Sequence, residues 1–249
     1  MTDATFRPVV LIPVYDHEAC LADITRTLRE KGLSVILVDD GSHASCAKEV
    51  RRVADGISGV FRIRHAENGG KGAAVVTGFE AADNLGFTHV LQIDADGQHD
   101  IDAVEVFLEA GRRHPQSMIC GYPLYDTSVP SARLNGRKLS NWWVHVNSLS
   151  TAVKDALCGF RVYPLSSVTP LLKRESVGKR MDFDLEILVR LLWQGTAVEN
   201  QPVHVTYPKD GISHFDLVKD NIKISLMHTR LFFGMLRRLP SLLARKATQ

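Results

Sequence analysis

The stretch V-L-Q-I-D-A-D-G-Q-H-D, Val90–Asp100, decides how the chain is read, because an apolar run hands two carboxylates and an amide directly to a polar turn. A short apolar run closed by Asp and Gly predicts a buried strand, and in open α/β sheets ligands gather at the carboxyl ends of strands. Asp94 and Asp96 stand two apart, so on extended backbone they share a face. With Gln98 they form an oxygen donor set suited to Mg2+ or Mn2+, ions usually held by one or two carboxylates together with substrate phosphates. The same D-A-D-G also suits a polar turn that merely closes a strand. Further toward the N-terminus, Ser34–Val38 (S-V-I-L-V) runs into Asp39, Asp40, Gly41 and Ser42, so a second strand end carries acid. A carboxylate there can accept hydrogen bonds from a nucleobase imide or a ribose hydroxyl, or it can cap the helix that follows.

Around these two stretches the first 120 residues alternate β-rich apolar runs with helical patterns, the signature of β-α-β units and a mostly parallel central sheet flanked by helices. Strands are expected at Val9–Val14, Ser34–Val38, Val60–Arg64, Thr88–Ile93 and Ser117–Cys120, and helices at Glu18–Lys31, Cys46–Asp55, Gly72–Asn84 and Ile101–His114. Beyond Gly121 the pattern changes. Tyr122–Pro130 reads as a polar loop, Leu134–Thr151 as a helix with Trp142 and Trp143, and Asp155–Pro164 as a compact block. Phe183–Trp193 then reads as a helix and Ala197–Tyr207 as a strand broken by Pro202. The expected organisation is one α/β domain over residues 1–210, with a nucleotide half at about 1–120 and an acceptor half at about 121–210, and a helical extension over 211–249.

At 249 residues, 45% hydrophobic and 23% charged, the chain can bury a full core. Cys20, Cys46, Cys120 and Cys158 show no C-x-x-C spacing, which argues against a zinc site or a disulfide scaffold. No apolar segment follows the polar start Met1–Arg7, and no run of about 18 apolar residues occurs, so a cytoplasmic chain is expected. The net charge of +2 is unevenly distributed: residues 211–249 hold seven Lys and Arg against Asp216 and Asp220. Ser213–Arg245 opens with the capping pattern S-H-F-D and mixes apolar residues with that basic set, the composition of an amphipathic helix lying on anionic lipid. The alternative is a helix packed back on the domain or on a second subunit of a homodimer. Nucleic acid is not expected as a partner.

Four blocks, in this order and spacing, resemble the family-2 glycosyltransferases of the GT-A fold: I-P-V-Y at Ile12–Tyr15, V-D-D-G-S at Val38–Ser42, N-G-G-K-G-A-A at Asn68–Ala74 and D-A-D-G-Q-H at Asp94–His99. The resemblance spans roughly Pro8–Tyr207 and is strongest to the polyprenyl-phosphate (dolichyl-phosphate) sugar synthases. M-D-F-D-L-E-I-L-V-R-L at Met181–Leu191 and D-G-I-S-H-F at Asp210–Phe215 also look like members found beside aryl-polyene biosynthesis genes.

The resemblance implies that Asp40 with Asp39 binds the base and ribose of a UDP- or GDP-sugar above a floor of Pro13 and Tyr15. It implies that Asp96, Asp94 and Gln98 hold Mn2+ or Mg2+ on the diphosphate. Gly69, Gly70 and Gly72 around Lys71 allow close backbone approach before a helix whose N-terminus favours an anion, and Lys71 adds a positive charge. A Walker P-loop is excluded, because the five-residue lead and the Ser or Thr after Lys are missing. Arg161, and more weakly Arg133 and Arg137, are candidate clamps for a donor or acceptor phosphate. His99 and His214 are further candidates near the phosphates, and Trp142, Trp143 and Trp193 either stack on sugar or lie in the core.

An inverting transfer to a hydroxyl needs a base, for which Asp184 is favoured over Asp182, whereas a phosphate acceptor needs none. The E-D pair that many hydroxyl-glycosylating relatives carry in this segment is missing. The implied activity is metal-dependent sugar transfer to a lipid-linked acceptor at the inner face of the cytoplasmic membrane. The alternatives are a soluble or polysaccharide hydroxyl acceptor and an inactive nucleotide-binding module tethered to the membrane. A dinucleotide-dependent oxidoreductase is disfavoured, since no G-x-G-x-x-G follows the first strand.

Overall fold

The computed structural model describes residues 6–124, 131–205, 216 and 218–246, with backbone only for 131–134. Its strands are short runs, mostly apolar and buried on both faces in the middle of the sheet, as strands covered by helices are, and half-buried or exposed at the two edges. They are β1 (Pro8–Val14), β2 (Val35–Asp39), β3 (Val60–Arg64), β4 (His89–Gln92), β5 (Met118–Leu124), β6 (Arg161–Pro164) and β7 (Val198–His204). They form one sheet in the order β3-β2-β1-β4-β6-β5-β7. Every pair is parallel except β6, which runs antiparallel to both β4 and β5. Val14 lies opposite Asp39, and Leu11 lies opposite Gln92, so β1, β2 and β4 end side by side. The chain changes direction across the sheet between β1 and β4, and it is there that a crevice opens in folds of this kind.

Alternate residues of β1 sort to opposite faces, as a period of two dictates. Val9 and Leu11 join the layer of α3 (Lys71–Asn84), α5 (Ser131–Ser148), α6 (Leu165–Arg174), α7 (Phe183–Gln194) and α8 (Lys219–Lys246). Val10 and Ile12 join that of α1 (Leu21–Glu30), α2 (Ala44–Gly56) and α4 (Ala103–Arg113).

Four local expectations need correction. Asp155–Pro164 is not only a compact block, because its last four residues are β6 in the middle of the sheet. Helix α6 was not anticipated; Pro170 lies within it and hides its periodicity. Residues 122–124 of the expected polar loop extend β5, pairing with β7 as far as Leu124 opposite His204, while 125–130 lie outside the described residues. Pro202 does not break β7, because β7 is an edge strand, where a missing N–H is tolerated.

Helix α8 packs on α5 and α7. The Trp193 indole donates to the Asn147 carbonyl at 2.8 Å, and Arg245 donates to the Trp193 carbonyl at 2.6 Å. His228 lies buried between Asn147 (3.1 Å) and a stacked Trp143, and burial pushes its pKa down to about 4. The folded state therefore holds a neutral imidazole, while the unfolded chain takes up a proton near the ordinary histidine value of about 6.5. Stability from this group is complete above that value, falls as the pH drops toward 4 and falls no further below it. We expect a loss of up to about 3 kcal/mol across this window that His228→Leu removes, read as the difference in urea midpoints between the two proteins.

Candidate functional site

The loops that leave β1, β2 and β3 are knitted into one rim. Asp16, in the left-handed region at φ 49°, accepts from the His43 amide at 2.8 Å, and the Ser42 hydroxyl accepts from the Asp16 amide at 3.2 Å. Pro13 and Tyr15 sit half-buried at the end of β1. Asp39 is fully buried: one oxygen accepts from the Ser42 amide at 2.9 Å and the other pairs with Arg64. Asp40 accepts from the Gly69 amide at 2.9 Å, from the Gly70 amide at 2.7 Å and lies 2.7 Å from the His65 ring. Both carboxylates are thus engaged with the protein itself and fasten the wall of the rim. Gly41, at φ 72°, is where the β2 loop meets residues 67 and 68, because a Cβ would lie 2.4 Å from the Glu67 carbonyl carbon.

The glycine segment also departs from expectation. Its amides at 69 and 70 point at Asp40, and the Ala73 amide of the first α3 turn donates to the Lys179 carbonyl at 3.0 Å. The anion at this helix N-terminus is thus the protein's own carboxylate. Gly72 permits the close approach of residues 178–183, since a Cβ would lie 2.5 Å from both the Gly178 oxygen and the Phe183 Cβ.

This packing delivers Lys71 between two acids. Its ammonium lies 2.7 Å from Asp94 and 2.9 Å from Asp184, whose other oxygen accepts from Gln92 at 3.1 Å. Burial opposes the Lys71 charge, but Asp184 and Asp94 outweigh it and raise its pKa. Burial likewise opposes the charge of Asp184, and there Lys71 and Arg161 outweigh it and hold the carboxyl below its usual range. Both groups are charged near neutrality. The turn before β6 fits over them only because residue 159 is glycine: a Cβ would lie 2.7 Å from an Asp94 oxygen and 3.0 Å from the Lys71 nitrogen.

Asp96 follows on the same turn, accepting from the Gln98 amide at 3.0 Å, so Gln98 contributes its backbone to the loop. Burial and the neighbouring Asp94 charge raise the Asp96 pKa. His99 lies beneath, its ring 5.3 Å from Phe160, its Nδ1 without a hydrogen-bond partner and its pKa pushed down by burial. Among the described residues no group of three or more His, Cys, Asp or Glu could hold a metal alone. Two carboxylates that share a cation with a substrate phosphate do not require one.

Arg161 is not a phosphate clamp. It is fully buried, and its guanidinium donates to the Asp184 carbonyl at 2.7 Å, the Ala156 carbonyl at 2.6 Å and the Tyr163 hydroxyl at 3.2 Å. Its planar fork ties β6 to the start of α7. Arg137 forms a two-bond pair with Asp155 at 3.0 and 2.6 Å, and Asp155 in turn accepts from the Leu157 and Cys158 amides. Asp182 accepts from the Arg180 amide at 3.1 Å and so shapes the loop before α7. Trp193 is buried, Trp143 half-buried and Trp142 exposed. The Arg133 side chain and His214 lie outside the described residues. The sequence assigns no role to Gln92, Asp155 or Gly159. Gln92 alone carries a signal, as an amide between apolar neighbours just before Asp94.

Residues 9–167 match the family Glycosyl transferase family 2. The chain is 26% identical over 242 residues to a dolichyl-phosphate beta-glucosyltransferase of Trichomonas vaginalis, covering 88% of this chain and 73% of the relative. It is 23% identical over 224 residues to the polyprenol monophosphomannose synthase of Mycolicibacterium smegmatis, covering 84% and 81%. Among solved structures it is similar to glucosyl-3-phosphoglycerate synthase from Mycobacterium tuberculosis in complex with Mn2+ and UDP-glucose. That likeness has a TM-score of 0.66 at 13% identity and covers 95% of this chain and 80% of that one.

Proposed function

The chain belongs to glycosyl transferase family 2 and has its GT-A fold, and from that premise we propose that it moves a sugar from a UDP- or GDP-sugar to a polyprenyl phosphate. The observation that carries this reading is the convergence of Asp94, Asp96, Lys71 and Asp184 at the strand ends beside the β1/β4 change of direction. Asp94 and Asp96 fit Mn2+ or Mg2+, being hard oxygen donors whose joint ionisation is disfavoured until a cation lies with them. When bound, such an ion stabilises negative charge on the departing nucleoside diphosphate. Lys71 orients Asp94 and balances the charge of Asp184. Pro13, Tyr15 and the rim fastened by Asp39 and Asp40 enclose the base and ribose.

The acceptor follows from Asp184. A carboxylate held ionised by Lys71 and Gln92 is a weak proton acceptor, and an acceptor that arrives as a phosphate anion asks for none. In this reading Asp184 is a positioning residue and no base is needed from Asp182. The names of the relatives, which act on dolichyl phosphate or polyprenol, support the same class. We place the reaction at the inner face of the cytoplasmic membrane.

The test incubates the protein with labelled UDP- and GDP-sugars, with either a polyprenyl phosphate or a soluble hydroxyl acceptor, in Mn2+ or in EDTA. Label entering the lipid phosphate in Mn2+ alone is expected. Transfer only to the hydroxyl acceptor, or transfer undiminished by EDTA, would overturn the proposal.

A further inference from the structure

Helix α8 presents two unlike faces. Met227, Leu231, Met235 and Leu242 are buried, while Ile222, Leu226, Phe233, Leu236 and Leu243 are between 45% and 65% exposed. At helical spacing the exposed set forms one apolar stripe on the side away from the protein. Lys219, Lys223, Arg230 and Arg237 line one border of that stripe, and all four are exposed. No helix among the described residues is long and apolar enough to cross a membrane, so such a face can lie on a bilayer but not span it.

Beside the stripe, α7 and α8 enclose a groove lined by Arg190, Trp193, Arg230, Gly234, Arg237 and Arg238, with Phe233 at its lip. Two acids answer its four guanidinium groups. Glu186, itself fully buried, accepts from Arg190 at 2.6 Å and pairs with Arg230 at 2.5 Å. Glu175 pairs with Arg190 and, at 3.3 Å, with Arg238, which also stacks 4.6 Å from the centre of the Trp193 ring. Arg237 makes no ion pair with any described residue. The groove therefore has a surplus of positive charge in planar forks, the geometry that matches phosphate oxygens two at a time.

We propose that α8 docks on an anionic lipid bilayer, with its stripe among the acyl chains and a phospholipid phosphate in the arginine groove. A bilayer is the occupant that uses both features at once, because Phe233 belongs to the stripe and to the lip of the groove. A second copy packed antiparallel on the stripe by two-fold symmetry would bring the basic borders together. The proposal deepens the membrane side of the proposed function. Its test needs neither donor nor acceptor, so its failure is separable from failure of the transfer reading.

The full chain is sedimented with vesicles of phosphatidylcholine alone and of phosphatidylcholine mixed with phosphatidylglycerol. Binding to the mixed vesicles, weakened by salt, is expected. Leu226→Glu and Phe233→Glu should abolish it, and Arg237→Gln and Lys223→Gln should each weaken it about fivefold. All four positions are exposed, so unchanged thermal melting accompanies the loss. Arg237→Lys keeps the charge but loses the fork, and it should weaken binding where Lys223→Arg does not; full retention by Arg237→Lys would overturn the groove assignment. Equal binding to both vesicle types, binding to neither, or a concentration-dependent dimer abolished by Phe233→Glu without vesicle binding would overturn the proposal.

Discussion

Lys71→Met is expected to lower transfer by about a hundredfold or more and to reduce the free energy of unfolding by about 3 kcal/mol. The reason is charge balance in a nearly closed space. Lys71, Asp94 and Asp184 have side chains 17%, 24% and 10% exposed, and the ammonium bridges the two carboxylates at 2.7 and 2.9 Å. Removing it leaves two acids facing each other with Gln92 the one side-chain donor to Asp184 among the described residues. Breaking one member of a partly buried charge cluster costs far more than the cluster contributes when whole. Asp184→Asn placed in the Lys71→Met background removes the uncompensated charge, so it should recover part of the stability while activity stays lost. Urea denaturation of the single and double variants checks the first statement, and the transfer assay checks the second. A Lys71→Met protein as stable as the parent would contradict the buried network.

Gly159→Ala should be almost as damaging to activity, although it adds only one methyl group. Its Cβ would fall 2.7 Å from Asp94 Oδ2 and 3.0 Å from Lys71 Nζ, so the ends of both side chains must shift from the positions in which they pair. Over-packing of this kind costs about 1–3 kcal/mol in stability. The loss of metal-dependent nucleotide binding should exceed what that destabilisation explains. Binding measured at a temperature where the variant is fully folded separates the two effects. Gly136→Ala, with open space around its Cβ position inside α5, provides the control: it should leave nucleotide binding unchanged and raise stability by up to about 1 kcal/mol.

The strand-end acids, the glycine segment and the helical tail were legible because each is local: an apolar run followed by Asp, a cluster of Gly before a helix, an apolar set at helical spacing. What could not be read is what depends on partners distant in the chain. Asp39 looks free in V-D-D-G-S, yet its partner Arg64 stands 25 residues away, and Gly69 and Gly70, which engage Asp40, stand 29 and 30 away. Arg161 reads as a phosphate clamp because its planar guanidinium fork matches phosphate oxygens. The fold buries it completely by placing the Asp184 and Ala156 carbonyls within reach. Strand β6, only four residues long, carries too little periodicity to be recognised.

The most direct test is calorimetric titration of UDP, GDP and their sugar conjugates into the purified protein, with Mn2+ and with EDTA, repeated on Asp96→Ala. One nucleoside diphosphate binding only in the presence of the metal, and not to Asp96→Ala, is the predicted result and also identifies the base of the donor. Binding that survives both EDTA and Asp96→Ala, or no nucleotide binding at all, would contradict a donor site built on Asp94 and Asp96.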